Sequence, residues 1–199
     1  MSNIYSLIFC AILSFFALSA KGQGKDLYII KPPFEFKSNS DSTLQLCAEH
    51  KEGIRTYNIP DRVAFKGKMY NVTSIKKYAF TWCTMKNITI PYGITTIEES
   101  TFSGCSSLES VSIPQSVTSI EEKAFHECKN LTDITIPQSV TVINANAFRG
   151  CINLDVVIDN SKENITFYKY VWVDDQGFVY VETTMEEAFS SCKSVTFTK

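Results

Sequence analysis

The phrase at residues 95 to 117 (TTIEESTFSGCSSLESVSIPQSV) is followed at once by a close copy at residues 118 to 140 (TSIEEKAFHECKNLTDITIPQSV). A period of about 20 to 50 residues marks a stacked repeat, in which one coil cannot bury its own apolar face and needs neighbours above and below. Four phrases fall into register. Ile75, Ile97, Ile120 and Ile143 open them; Phe80, Phe102, Phe125 and Phe148 come next, then Cys83, Cys105, Cys128 and Cys151. The following column is Met85, Leu108, Leu131 and Leu154, succeeded by Ile88-x-Ile90-Pro91, Val111-x-Ile113-Pro114 and Ile134-x-Ile136-Pro137. The spacing is 23 residues, with one residue missing from the first coil between Cys83 and Met85. By the same count the fourth phrase decays after Val157, leaving Asp159 and Asn160 in the places of the last Ile and the Pro.

The pattern inside one coil predicts its local structure. Leu131 to Ile136 ends in apolar/polar alternation, which directs Ile134 and Ile136 inward and Asp133 and Thr135 outward on a short strand. Pro137 ends that strand because it has no N–H to give to a ladder. Glu121 to Glu127 is polar apart from Ala124 and Phe125, a pattern that suits one helical turn resting on the core. Val140 to Ile143 reads as a second short extended piece. A worn fifth copy closes the sequence: Met185-Glu186-Glu187-Ala188-Phe189 with Cys192 and Val195 repeats the order seen at Ile120 to Leu131.

These residues resemble the BspA-like leucine-rich repeat, whose coil reads L-x-x-I-x-I-P-x-x-V-x-x-I-x-x-x-A-F-x-x-C. The phrase is complete at Leu108 to Cys128 and at Leu131 to Cys151, and near-complete at Met85 to Cys105. The resemblance covers residues 72 to 158 and the tail, roughly half the chain. It implies an α/β repeat, a right-handed leucine-rich-repeat solenoid with a parallel sheet on one side, short helical turns opposite and β caps at both ends. It also implies a non-enzymatic, exported or surface-displayed bacterial protein that binds host, neighbouring-cell or envelope proteins. Many family members carry more coils and an anchoring region than this sequence does.

The expected organisation is a signal peptide at 1–22, an N-terminal β-rich cap at 23–71, repeats at 72–158, a β-hairpin insertion at 159–184 and a degenerate repeat at 185–199. Leu7 to Leu18 (LIFCAILSFFAL) is apolar on every side, too short to span a bilayer and followed by small residues, as in the core of a secretory signal. Met1 to Ser6 lacks the usual Lys or Arg. In the N-terminal region Leu27 to Ile30 reads as a strand, and Lys66-Gly67-Lys68 as a turn joining Val63 to Phe65 with Met69 to Val72. After signal removal the mature chain is expected to have no membrane span and to be secreted, periplasmic or on the cell surface.

Chemistry other than binding has little support. A formal net charge of −2 gives no electrostatic reason to expect nucleic acid. An even number of cysteines in an exported chain ordinarily suggests disulfides. Here five share one column, where parallel Cβ vectors suit a buried hydrophobic ladder better than a bond. Cys47 has no register partner and could pair only if a terminal segment folds over it. No cofactor and no metal are expected, since no C-x-x-C pair exists and His126-x-Cys128 and Cys47-x-x-His50 stand alone. His126 is placed in solvent, and Glu98-Glu99, Glu121-Glu122 and Glu186-Glu187 recur at repeat spacing as a solvated face. No catalytic residue is assigned.

Two surfaces are candidates. The first is the outward side of the parallel sheet: Lys86, Asn87 and Thr89, then Glu109, Ser110 and Ser112, then Thr132, Asp133 and Thr135, then Asp155. Neighbouring coils present such positions as a rigid grid for a protein partner. Taken singly, each of these short polar residues is as readily explained by keeping a solvent-facing sheet soluble. The second is the insertion, where Ile165 to Val173 alternates and Asp174-Asp175-Gln176-Gly177 turns into Phe178 to Val181, a hairpin pattern. Both of its faces are apolar, so one is expected to seal the last coil. The alternative is that Tyr168, Tyr170 and Trp172 form an aromatic platform for a glycan.

Overall fold

The computed structural model describes residues 19–21, 28–31, 34–38, 43–47, 55–173 and 177–199. The signal-like run at Leu7 to Leu18, His50 and hairpin residues 174–176 lie outside these, as does the side chain of Trp172.

The N-terminal part is a mixed sheet. Its strands are β1 (Ser19–Lys21), β2 (Tyr28–Lys31), β3 (Phe34–Ser38), β4 (Thr43–Leu46), β6 (Arg62–Phe65) and β7 (Lys68–Ile75), with β5 (Thr56–Asn58) set elsewhere. The order across the sheet is β1-β2-β3-β4-β7-β6. Because β1 is an edge strand, removing a leader that includes it leaves the other pairings whole. The β6–β7 hairpin turns at Lys66 and Gly67, both with positive φ (48° and 76°), as the Lys66-Gly67-Lys68 turn predicts. β4 runs parallel to β7, bringing Leu46 beside Ile75 and leading the sheet into the repeats.

Each coil then contributes one strand to each of two flanks. One flank holds β5, β8 (Asn87–Thr89), β10 (Ser110–Ser112), β12 (Asp133–Ile136), β14 (Asp155–Ile158) and β17 (Ser194–Phe197). The other holds β9 (Thr96–Ile97), β11 (Ser119–Ile120), β13 (Val142–Asn144) and β15 (Thr166–Val173), with β16 (Gly177–Glu182) antiparallel to β15. All repeat pairings are parallel, including Ser110↔Asn87, Ile120↔Ile97 and Asp133↔Asp155.

Between the flanks runs a ladder of phenylalanines. Phe80, Phe102, Phe125, Phe148 and Phe189 stack in sequence with ring centroids 5.1 to 5.3 Å apart and planes within 10 to 12°. Both ends are closed edge-on, by Tyr57 at 6.1 Å and 71° and by Phe167 at 6.3 Å and 77°. The stacking distance follows from the strand spacing of about 4.8 Å, which sets the rise from coil to coil. An edge-to-face ring at each end presents its positive rim to the open π face.

The cysteine column is made of free thiols, as its register implied. Cys105, Cys128 and Cys151 are fully buried, and each donates to the carbonyl oxygen of the phenylalanine one coil back. Cys47 is also free.

Four expectations need correction. The stretch opposite the first flank is not helical. Ser100, Lys123 and Asn146 adopt left-handed φ of 53 to 59°, as do Trp82, Gly104, Glu127 and Gly150 at 57 to 81°, so hydrogen-bonded turns replace a helix twice per coil. The single α-helix among the described residues is α1 (Met185–Ala188), in the worn copy. Second, β14 pairs with β12 through Val156↔Ile134 and Ile158↔Ile136. The fourth coil has therefore lost a residue between Leu154 and Val156. Ile158 fills the last Ile place, Asp159 takes the proline's, and Val157 points out. Third, the opening position of the fifth coil is filled by Phe167, which pairs with Ile143, and not by Met185. The hairpin is inserted inside that coil, between its strand and its turn. Fourth, the glutamate pairs are not freely solvated: Glu98, Glu99, Glu121 and Glu122 are half-buried, as is His126, whose pKa is lowered by that burial.

Candidate functional site

The strands of the first flank hold seven of the ten expected positions, Asn87, Thr89, Ser110, Ser112, Asp133, Thr135 and Asp155, while Lys86, Glu109 and Thr132 lie just before β8, β10 and β12. Registered neighbours form rows: Thr56, Asn87 and Ser110, then Asn58, Thr89 and Ser112, on β5, β8 and β10. On β12, β14 and β17 the rows are Asp133, Asp155 and Ser194, then Thr135, Val157 and Thr196. Thr89, Glu109, Ser110, Ser112, Thr132, Asp133 and Thr135 are exposed, while Lys86, Asn87 and Asp155 are half-buried.

Sequence reasoning missed β5, although Tyr57-x-Ile59-Pro60 repeats the strand-and-proline pattern of Ile88-x-Ile90-Pro91. It also missed β17's contribution to the face, because Ser194 and Thr196 are aligned only by pairing with β14.

Contacts across coils hold the grid. Lys86 pairs with Glu109, and the Ser110 hydroxyl donates to Asn87 Oδ1 at 2.8 Å. Asp155 accepts from Lys193 Nζ at 2.5 Å and from the Ser194 hydroxyl at 2.7 Å, and these donors hold its carboxyl below the usual range. Asp133, directly beside Asp155 in register, accepts from the neighbouring Thr132 hydroxyl at 3.0 Å. Among the described residues no cation pairs with Asp133.

The face is divided in the middle. β5, β8 and β10 form one three-stranded sheet and β12, β14 and β17 another, with no registered pairing between β10 and β12. A groove of about 440 Å³ opens there, lined by Ser110, Ser112, Gln115, Asp133, Thr135 and Asp159 among others. Val111 is only half-buried at this line, whereas Ile88 and Ile134 on either side are fully packed.

The aromatic candidates lie on the second flank. Tyr168 is half-buried and meets Tyr180 edge-on at 6.0 Å. Tyr170 and Tyr180 are 39% and 51% exposed, with ring centroids 4.1 Å apart and hydroxyls in contact. Tyr180, absent from the expected platform, also reaches back to Glu121 Oε2 at 3.4 Å. Nothing in the sequence links positions 59 apart; the hairpin does so by pairing Tyr170 with Tyr180 across β15 and β16.

Short coils carrying parallel strands on two flanks joined by turns, stacked around a phenylalanine ladder, are the architecture of a leucine-rich repeat protein. The BspA type Leucine rich repeat region matches residues 51–176 in six copies, and the chain belongs to that family. The match begins early enough to take in β5. Among solved structures, a leucine-rich repeat protein from Bacteroides ovatus is similar at 25% identity and a TM-score of 0.61. The alignment covers 88% of this chain, which spans only 40% of that protein. A second, from Bacteroides capillosus, matches at 22% identity and a TM-score of 0.58 over 86% of this chain and 99% of its own. The leucine-rich repeat protein of T. pallidum matches at 22% and 0.60, over 70% of this chain and 64% of its own. These likenesses bear on the fold. No curated protein matches the chain.

Proposed function

We propose that this is an exported, non-enzymatic protein that holds a protein partner on the face built from β5, β8, β10, β12, β14 and β17. The observation that carries the reading is the groove between β10 and β12, set in a continuous field of outward polar side chains on a backbone fixed by the stacked core. Rigid presentation lowers the ordering cost of binding. Leucine-rich repeat proteins are in general protein-binding modules, and this chain supplies an unneutralised carboxylate, Asp133, in the groove. A partner offering an Arg or Lys there gains a charge-assisted hydrogen bond.

The signal peptide, the right-handed winding and the sealing of both ends by β structure belong to the same reading. So does the division at 22; β5 and Phe167 carry the stack across positions 71 and 158. Among the described residues no helix is long and apolar enough to cross a membrane. The test is capture from the native surroundings with the wild type and with Asp133→Lys and Ser112→Lys. Loss of the captured protein is expected; equal capture by variants that melt like the wild type would remove this face from consideration.

A further inference from the structure

The second flank carries a different site. Beside Tyr170 lies a cavity of about 600 Å³, lined by Lys77, Glu99, Glu122 and Lys123, within the size range of small-ligand pockets. These residues come from the turns of three successive coils, and Tyr170 comes from the hairpin that crosses above them. The four charges cancel locally, with Lys77 Nζ 3.8 Å from Glu99 and Lys123 Nζ 2.8 Å from Glu122. Glu99 also accepts from the Tyr78 hydroxyl. A bound cation would face two lysines there, and a bound anion two carboxylates.

Next to this cavity the sheet supplies a layer of directional hydrogen-bonding groups. Glu121 Oε2 accepts from Asn144 Nδ2 at 2.6 Å and from the Tyr180 hydroxyl at 3.4 Å. Asn144 is fully buried, and its amide holds Glu121 in place below Tyr180. Asn144 stands where the preceding coils have Glu98 and Glu121, so the repeat has exchanged an acid for an amide beside the hairpin. An exposed aromatic face and paired charges together match a ring with apolar C–H faces and equatorial hydroxyls.

We propose that this cleft, lined by Tyr170 and the Lys77–Glu99 and Lys123–Glu122 pairs with Tyr180 packed beside Tyr170, binds an uncharged carbohydrate. The exposed tyrosine rings carry the apolar face of a sugar, and the paired charges take its hydroxyls. The site is separate from the protein-binding face and does not depend on it. It also shifts the aromatic platform from the side of one strand to a pair of tyrosines on two.

The test uses the full chain on a glycan microarray carrying neutral, sialylated and sulfated oligosaccharides, followed by titration of the best neutral hit. Neutral glycans are expected to bind. Tyr170→Ala and Tyr180→Ala should each weaken binding about tenfold, the scale of one lost ring contact. Tyr92→Ala, an aromatic 74% exposed outside the cleft, should bind as the wild type does. Thermal melting separates loss of the site from loss of the fold; if an alanine variant does not fold, Tyr170→Phe and Lys123→Gln carry the test by changing single polar groups that line the cleft. A blank array, binding confined to sialylated or sulfated glycans, or wild-type affinity in the folded variants would overturn the proposal.

Discussion

Cys128 Sγ lies 3.2 Å from the main-chain carbonyl of Phe102, one coil back, and donates its S–H to it. The same bond joins Cys105 to Phe80 at 2.9 Å and Cys151 to Phe125 at 3.0 Å. A turn built around left-handed residues leaves its carbonyls without helical partners, and the thiol, small enough for the core and still a donor, supplies one.

The thiols should therefore be structural and slow to react. Cys105 and Cys128 have pKa values raised far above a free thiol's, and burial pushes Cys192 up to about 12, so thiolate is scarce at neutral pH. In the native protein a disulfide-exchange reagent should modify half-buried Cys47 and Cys192 before Cys105 and Cys128, which should react only after denaturant is added. Cys128→Ala should cost about 1 to 3 kcal/mol, because it leaves a small cavity and a buried carbonyl without its donor.

The phenylalanine ladder predicts a position effect. Phe125 is stacked on both faces, so Phe125→Ala should lose about 3 to 5 kcal/mol by chemical denaturation. Phe189 is stacked on one face and met edge-on at the other, and Phe189→Ala should cost less. Equal losses would mean that the aromatic contacts do not propagate through the stack.

Gly104 and Trp82 are coupled. Gly104 has φ +72°, and a Cβ there would collide with the Trp82 ring. Gly104→Ala should cost at least the left-handed strain of about 1 to 2 kcal/mol, plus displacement of the indole. Since Trp82 is 73% exposed, Trp82→Ala should recover the second part in a double-mutant cycle and leave the first. Indole fluorescence in the single variant reports the displacement.

Glu121 should oppose stability as pH rises. Its pKa is raised chiefly by burial, against the hydrogen bonds of Ser119 and Tyr180. The folded protein thus holds this proton to higher pH than the unfolded chain does. Stability falls as pH climbs from the unfolded value near 4.5 through the folded one. Glu121→Gln should therefore gain on the wild type in denaturation midpoint over the range in which pH rises above about 4.5. A constant difference across that range would contradict the shift.

The last strand should respond in the opposite sense. Asp155 and Asp159 have lowered pKa values, set mainly by hydrogen bonds from Lys193 and Thr198 respectively, and both donors sit on or beside β17. Carboxylates depressed in the folded state stabilise it above their unfolded pKa and lose that contribution as pH falls through the folded one. On acidification the protection factors of β17 amides, which correct for the intrinsic slowing of exchange at low pH, should fall before those of β12 do.

The repeated columns were legible because every coil meets the same environment. Ile97, Phe102, Cys105 and Leu108 recur at one spacing, and each becomes fully buried for the same reason as its copies. That periodicity alone implied the strand, the free thiols and the outward positions of β8, β10 and β12; it also implied a helical turn opposite, where left-handed residues form hydrogen-bonded turns instead. The tertiary structure decided what has no period. Deleting one residue after Leu154 leaves the local pattern readable in two registers, and only pairing with β12 selects Ile158 for the core. The gap between β10 and β12 arises from how neighbouring coils meet, and no residue type encodes it. Tyr180 comes to Glu121 because a hairpin folds back across the stack; a contact between residues far apart in sequence depends on the closure of the intervening chain, which composition and spacing do not specify.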